Sequence, residues 1–166
     1  PLGVVSAEVV SAITIDGDAV ISAADATISA TADVEVEILT ESVVPESSPA
    51  DGAIAVSVIS SQASVDIGGS AQLDIAGLLT VGADNSVKTV VSATPNSAAF
   101  GASVAVGIIE AETRIAIGDS AIVNAGALDM AATSLTTALI TAKDDLVSSL
   151  RQKKYVDLLP EYNGIA

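Results

Sequence analysis

Asp16-Gly17-Asp18 sets two carboxylates on either side of a glycine, and hard oxygen ligands on a tight turn suit Ca²⁺. Asp66 and Asp119 lie at related glycine-bearing segments further along. Asp16, Asp18 and Asp119 are therefore the candidate metal ligands, with Asp66 as a further donor. Against this, the Gly-Gly-x-Gly-x-Asp nonapeptide of Ca²⁺-binding β-rolls is missing. Gly68-Gly69-Ser70 also stands in the middle of the chain where the first segment has two Asp. A plain turn explains the same residues, since Gly supplies the positive φ and Asp bonds its own backbone. The expectation is a chain without a cofactor, Ca²⁺ being the one ion its residues could take.

Other site chemistry is sparse. The sequence has no His and no Cys, which removes imidazole acid–base catalysis, Ser–His and Cys–His nucleophiles, disulfides and transition-metal sites. Glu35/Glu37 and Glu110/Glu112 each share one face of an extended segment, where a solvated face is the expected role. A carboxylate-pair glycosidase would want aromatic platforms, but the chain holds one Phe and two Tyr, the latter at Tyr155 and Tyr162. Gly68-Gly69 lacks the following Lys-Ser/Thr of a phosphate loop. No enzyme is expected.

Charge narrows the partners further. The net charge is −15, and residues 1–87 carry 13 Asp/Glu with no Lys or Arg, the first basic residue being Lys88. Nucleic acid needs a basic footprint, so it is excluded as a partner, and anionic membrane surfaces would be repelled. No apolar run approaches the ~18 residues of a spanning helix, so no membrane insertion is expected. Acidic surfaces also keep β-proteins soluble and their sheet edges apart. An acidic, Lys-poor, Cys-free chain rich in Ser, Thr, Ala and Val fits a secreted bacterial protein at the cell surface. Pro1-Leu2-Gly3 lacks the charged start of a signal peptide, as a mature product or an excised fragment would.

The elements that must position these residues are announced by an internal repeat. ITIDGDAVISAADATISAT (13–31), VDIGGSAQLDIAGLLTVGA (65–83) and IAIGDSAIVNAGALDMAAT (115–133) are three versions of one unit, spaced by 52 and then 50 residues. Ile13, Ile15, Ala19, Ile21, Ala26 and Ile28 align without a gap on Ile115, Ile117, Ala121, Val123, Leu128 and Met130. The middle copy (Val65, Ile67, Ala71, Leu73, Leu79, Val81) needs one extra residue before its last pair. Between copies, residues 54–67 match 104–117 at an offset of 50. Each copy reads strand, turn, strand, turn, strand.

Val4 to Ile15 is β-branched strand material, and Val34-Glu-Val-Glu-Ile38 alternates as a half-buried strand must. Pro-bearing loops at 45–52 and at Thr94-Pro95-Asn96-Ser97 precede apolar strands at 53–59 and 102–109. From Thr133 the pattern changes. The spacing of Leu146, Leu150, Val156 and Leu159, with Asp144-Asp145 at its start and Pro160 at its end, predicts a helix over 144–159. The rival there is a further β-coil, because LTTALIT still alternates weakly. The expected organisation is a β-repeat domain over 1–133 and a C-terminal cap or tail over 134–166. Arg151, Lys153 and Lys154 form a basic patch on the tail, either an ordinary polar helix face or a contact for the acidic front of another copy.

Ile117-Gly118-Asp119-Ser120-Ala121 with Ala125-Gly126, and Ile67-Gly68-Gly69-Ser70-Ala71 with Ala76-Gly77, carry a family resemblance. Ile15-Asp16-Gly17-Asp18-Ala19 follows it more loosely. These units resemble the repeats of giant bacterial surface exoproteins, the filamentous-haemagglutinin-like adhesins and autotransporter passengers. The resemblance covers residues 4–133 and implies a right-handed parallel β-helix acting as a rigid, non-catalytic extracellular shaft.

Physics points the same way, since small Val, Ile, Leu and Ala side chains suit thin stacked layers. At two to three coils per unit, about seven coils would rise about 35 Å at the spacing between paired strands. The expected fold is thus all-β, a parallel β-helix (solenoid) with a C-terminal capping helix; a β-sandwich is the competing arrangement. The competing function is a self-assembling extracellular filament subunit, polymerising end to end by β-strand addition. A carbohydrate- or Ca²⁺-binding module resting on acidic loops such as 45–52 is a third. No receptor or surface ligand is named by the residues.

Overall fold

Alternation of apolar and polar residues, with almost no helix-favouring periodicity, makes strands of nearly every stretch it covers. A computed structural model describes residues 1–42, 50–95 and 101–143, and these fold into seven strands. They are β1 (Leu2–Ile15), β2 (Val20–Ala23), β3 (Ala26–Glu41), β4 (Asp51–Ile67), β5 (Gln72–Thr94), β6 (Gly101–Ile117) and β7 (Ile122–Ala142). The predicted helix over 144–159, the basic patch at 151–154, and most of the loops at 45–49 and 96–97 lie outside the described residues. Asp51 and Gly52, read above as loop, already belong to β4.

Two sheets result. One runs β1-β4-β6, and the other runs β2/β3, then β5, then β7. Every pairing is parallel. The register reproduces the sequence repeat residue by residue: Ile13 pairs with Val65 and Val65 with Ile115, while Ile21 pairs with Leu73 and Leu73 with Val123. Each repeat therefore forms one tier, a strand in the first sheet followed by a return strand in the second. Each unit makes one coil, not the two to three expected from its sequence. Three tiers span two inter-strand steps, about 10 Å rather than 35 Å. The reason is strand length: a first-sheet strand of 17 residues and a return strand of 21 or 23 together take up most of a repeat in a single circuit.

The second turn of each copy is also smaller than the sequence suggested. It separates β2 from β3 in the first tier, but in the second it shrinks to a register shift between Ile75 and Leu78 inside β5. The inserted residue sits where the aligned copies demanded one. β7 continues to Ala142, which pairs with Ala93, so strand structure extends beyond Thr133 where the pattern loosens.

The sheets face each other through small aliphatic side chains. Val34, Val36 and Ile38 of β3 pack with Ala53, Ala55 and Ile59 of β4 and with Val87, Val91 and Ala93 of β5. A second cluster gathers Val65, Ile67, Leu73, Ile75, Leu79 and Val81 beside the turn end. The tiers of the two sheets are offset by half a step. β3 packs against both β1 and β4, and β5 against both β4 and β6, while β7 packs across the interface against β6. Going up the stack the order is thus β1, β3, β4, β5, β6, β7.

Candidate functional site

Three surfaces could act: the turn end, the outer face of the first sheet, and the last tier. At the turn end, Gly17 and Gly69 both adopt the left-handed region, with φ of 69° and 60°. The two turns stack directly, Gly68 N–H donating to Ile15 O and Ser70 N–H to Gly17 O, each at 2.8 Å. The third turn begins the same way, with Gly118 N–H on Ile67 O. Asp119 then takes the place of the left-handed glycine, and no non-Gly residue in the described segments has positive φ. The third turn has therefore left the shape of the lower two.

The metal candidates separate on this scaffold. Asp16 Oδ1 accepts the Gly17 N–H at 2.7 Å, the self-bonded turn that its sequence context favours. Asp16 and Asp66 line one shallow hollow with Thr14, Gly68, Gly69 and Gly118. Asp66 is engaged by Arg114 at 2.8 Å. Asp18 and Asp119 are exposed and do not line that hollow. Among the described residues no group of three or more acidic side chains is placed to hold a metal.

Two residues with specific work were not singled out by sequence. Asp25 Oδ1 accepts the N–H of Leu78 at 2.8 Å, and Gly77 N–H bonds Ala24 O at 2.6 Å. These bonds satisfy donors that the extra residue of the middle tier takes out of the ladder. Asn85 is buried and spans the sheets: Ser61 Oγ donates to its Oδ1 at 2.7 Å, and its Nδ2 donates to Ser61 O at 2.9 Å and Glu112 O at 3.0 Å. A buried Asn that reaches two successive strands of the facing sheet records the half-step offset directly. The alignment gap was a signal for the first pair. Nothing in Gly82-Ala-Asp-Asn-Ser86 marks Asn85 as interior.

The outer face of the first sheet carries an apolar ladder. Leu2, Ile54 and Val104 stack in one column, Val4, Val56 and Val106 in the next, and Val58 and Ile108 in a third. Most of them are exposed, Leu2 at 68% and Ile108 at 50%. Further along the same face the ladder turns polar, with Glu8, Ser60 and Glu110 in register. On the second sheet Lys88 bridges to Glu35 at 2.5 Å. This hydrogen bond, and then the charge of Glu35, raise the lysine above its usual 10.5.

The last tier is the third surface. Leu79, Val81 and Val91 of β5 are completely buried, yet the residues stacked on them in β7, Leu128, Met130 and Ile140, are 50%, 44% and 44% exposed. At the other end Ile38 of β3, in the same column as Ile140, is 6% exposed. The half-step offset explains the contrast, because β3 has two strands facing it and β7 has one. No helix among the described residues is long and apolar enough to cross a membrane. No family model matches the chain, and no curated protein or solved structure matches it either.

Proposed function

We propose that the chain is a non-catalytic structural module of an extracellular bacterial adhesin or exoprotein, a parallel β-solenoid that forms a stiff shaft. The observation that carries this reading is the register. Each repeat pairs in parallel with the next at the period of the sequence, so lengthening the protein by a repeat lengthens the stack by a tier. Nearest-neighbour stacking of that kind is how repeat proteins build rods. The repeat motifs resemble those of giant surface exoproteins, and the apolar outer ladder offers the sort of exposed patch that marks contact surfaces. The second reading, a filament subunit, draws on the last tier, whose inner face no described strand covers. A site for hydrolysis or group transfer finds no support in residues that lack His and Cys.

Duplication of residues 51–100 in tandem tests the modular reading. A four-tier chain should keep its β-sheet circular dichroism, unfold cooperatively and melt higher than the parent, since the added tier is buried on both sides. An insert that unfolds or lowers the melting temperature would show instead that the three copies form one closed core.

A further inference from the structure

We infer that the β6/β7 end receives the β1/β3 end of a second copy of this chain, head to tail, with β1 of the incoming copy seated beside β6 and over the inner face of β7, which no described strand covers. The inference rests on the tiered reading above and adds a partner and a polarity. The half-step offset makes the ends complementary in shape. β7 of the second sheet protrudes at one end and β1 of the first sheet at the other, so each supplies the strand that the opposite end lacks. Leu128, Met130 and Ile140 would gain the cover that Leu79, Val81 and Val91 already have inside the chain.

Sequence and size agree with this geometry. The first and third copies align over the repeat core without a gap, so the incoming tier would need no inserted residue there. Strands of 17 and 21 residues at about 3.3 Å per residue, with about 10 Å between sheets, give an end face of roughly 600–700 Å². A stable interface needs about that much from each partner. The contact is heterologous and does not close on itself, so it propagates as a fibre.

Charge sets the condition. In the stacked register Lys143 would lie beside Glu41 of the incoming copy, a favourable pair. Glu110 would lie beside the incoming Glu8, an unfavourable one. With a net charge of −15 on each chain, assembly should be weak at low ionic strength and promoted by salt.

Paired cysteines in this Cys-free chain provide the test. Thr31, Asp84 and Thr133 form one exposed column. T31C with D84C should close an intramolecular disulfide, since register partners lie within bridging distance. T31C with T133C sits two tiers apart in one molecule, about 10 Å and too far to bridge internally, but the pair becomes adjacent across a head-to-tail junction. Under mild oxidation in salt the second pair should give a ladder of disulfide-linked multimers. T31C with T137C, out of register, should not. Adding M130D should abolish the ladder, because it places a charge in the covered face while leaving the single molecule's exposed surface tolerant. If T31C/D84C closes but T31C/T133C yields no ladder and the chain sediments as a monomer, head-to-tail docking is wrong although the tiers stand. If T31C/D84C itself fails to close in a folded chain, the tiered reading falls with it.

Discussion

Asn85 and Ser61 hold each other across the two sheets by a reciprocal pair of hydrogen bonds, Ser61 Oγ to Asn85 Oδ1 at 2.7 Å and Asn85 Nδ2 to Ser61 O at 2.9 Å. A third bond, to Glu112 O, ties the same amide to the next tier. The residues in Asn85's column are Ala32 below and Ser134 above, so the pin exists once, at mid-stack. Among aliphatic ladders that could slide past one another, a satisfied polar group fixes the registry of one sheet against the other.

Asn85→Ala should therefore cost about 2–3 kcal/mol in urea unfolding, because it strands the Ser61 hydroxyl and two carbonyls away from water. Ser61→Ala removes one hydrogen bond and should cost about 1 kcal/mol. A double-mutant cycle should return a coupling energy well above zero; strict additivity would mean that the two side chains do not meet.

The turn glycines should differ in a definite order. Gly17 and Gly69 both have positive φ, so alanine at either costs about 1 kcal/mol from backbone strain. A Cβ on Gly17 meets open space, whereas one on Gly69 would overlap the Asp16 carboxylate and the Gly17 backbone. Gly69→Ala should accordingly melt several degrees below Gly17→Ala. Equal melting temperatures would argue against stacked turns.

Asp25 serves the inserted residue of the middle tier. Asp25→Ala should cost about 1 kcal/mol by leaving the Leu78 N–H unpaired. Deleting Gly77, which brings the middle copy into gapless alignment with the outer two, should remove most of that penalty. If Asp25→Ala is equally harmful with and without Gly77, the carboxylate stabilises something other than the bulge.

Much of this arrangement can be read from the chain itself. The alignment of Ile13, Val65 and Ile115, and the single extra residue before Leu79, predict the strand register and its one shift. What escaped was how far each strand runs. Ala, Ser, Gly and Thr alternate as readily through a strand as beside a turn, so the segment from Gly82 to Ser86 gives no sign that β5 continues through it. The half-step offset was equally hidden, since it depends on how two sheets settle against each other. The candidate ligands show the limit for sites. Asp16 and Asp66 do share a hollow, but Asp16 bonds its own turn and Asp66 pairs with Arg114.

Those engagements set an expectation for the metal. Millimolar Ca²⁺ should leave the melting temperature unchanged, as read by differential scanning fluorimetry against a Mg²⁺ control. A rise of several degrees, lost in Asp16→Asn, would place an ion at the turn end.

Lys88 carries a pH signature. Its bridge to Glu35 raises the lysine, so the stabilisation is complete below the usual lysine value of 10.5 and is lost as pH climbs past the raised one. The melting-temperature gap between the parent and Lys88→Gln should be small at neutral pH, since both partners are exposed, and should vanish in strong alkali. A gap that widens with alkali would reverse the sign and contradict the bridge.

Parallel pairing at the repeat period underlies the whole stack, and disulfide trapping between β1 and β4 tests it most directly. Val4 pairs with Val56 and Glu8 with Ser60, a constant difference of 52 that only parallel strands can show. V4C/V56C and E8C/S60C should each close within one chain, while V4C/S60C and E8C/V56C should not. Closure of the second set in place of the first would mean antiparallel strands, and the tiered structure would be wrong.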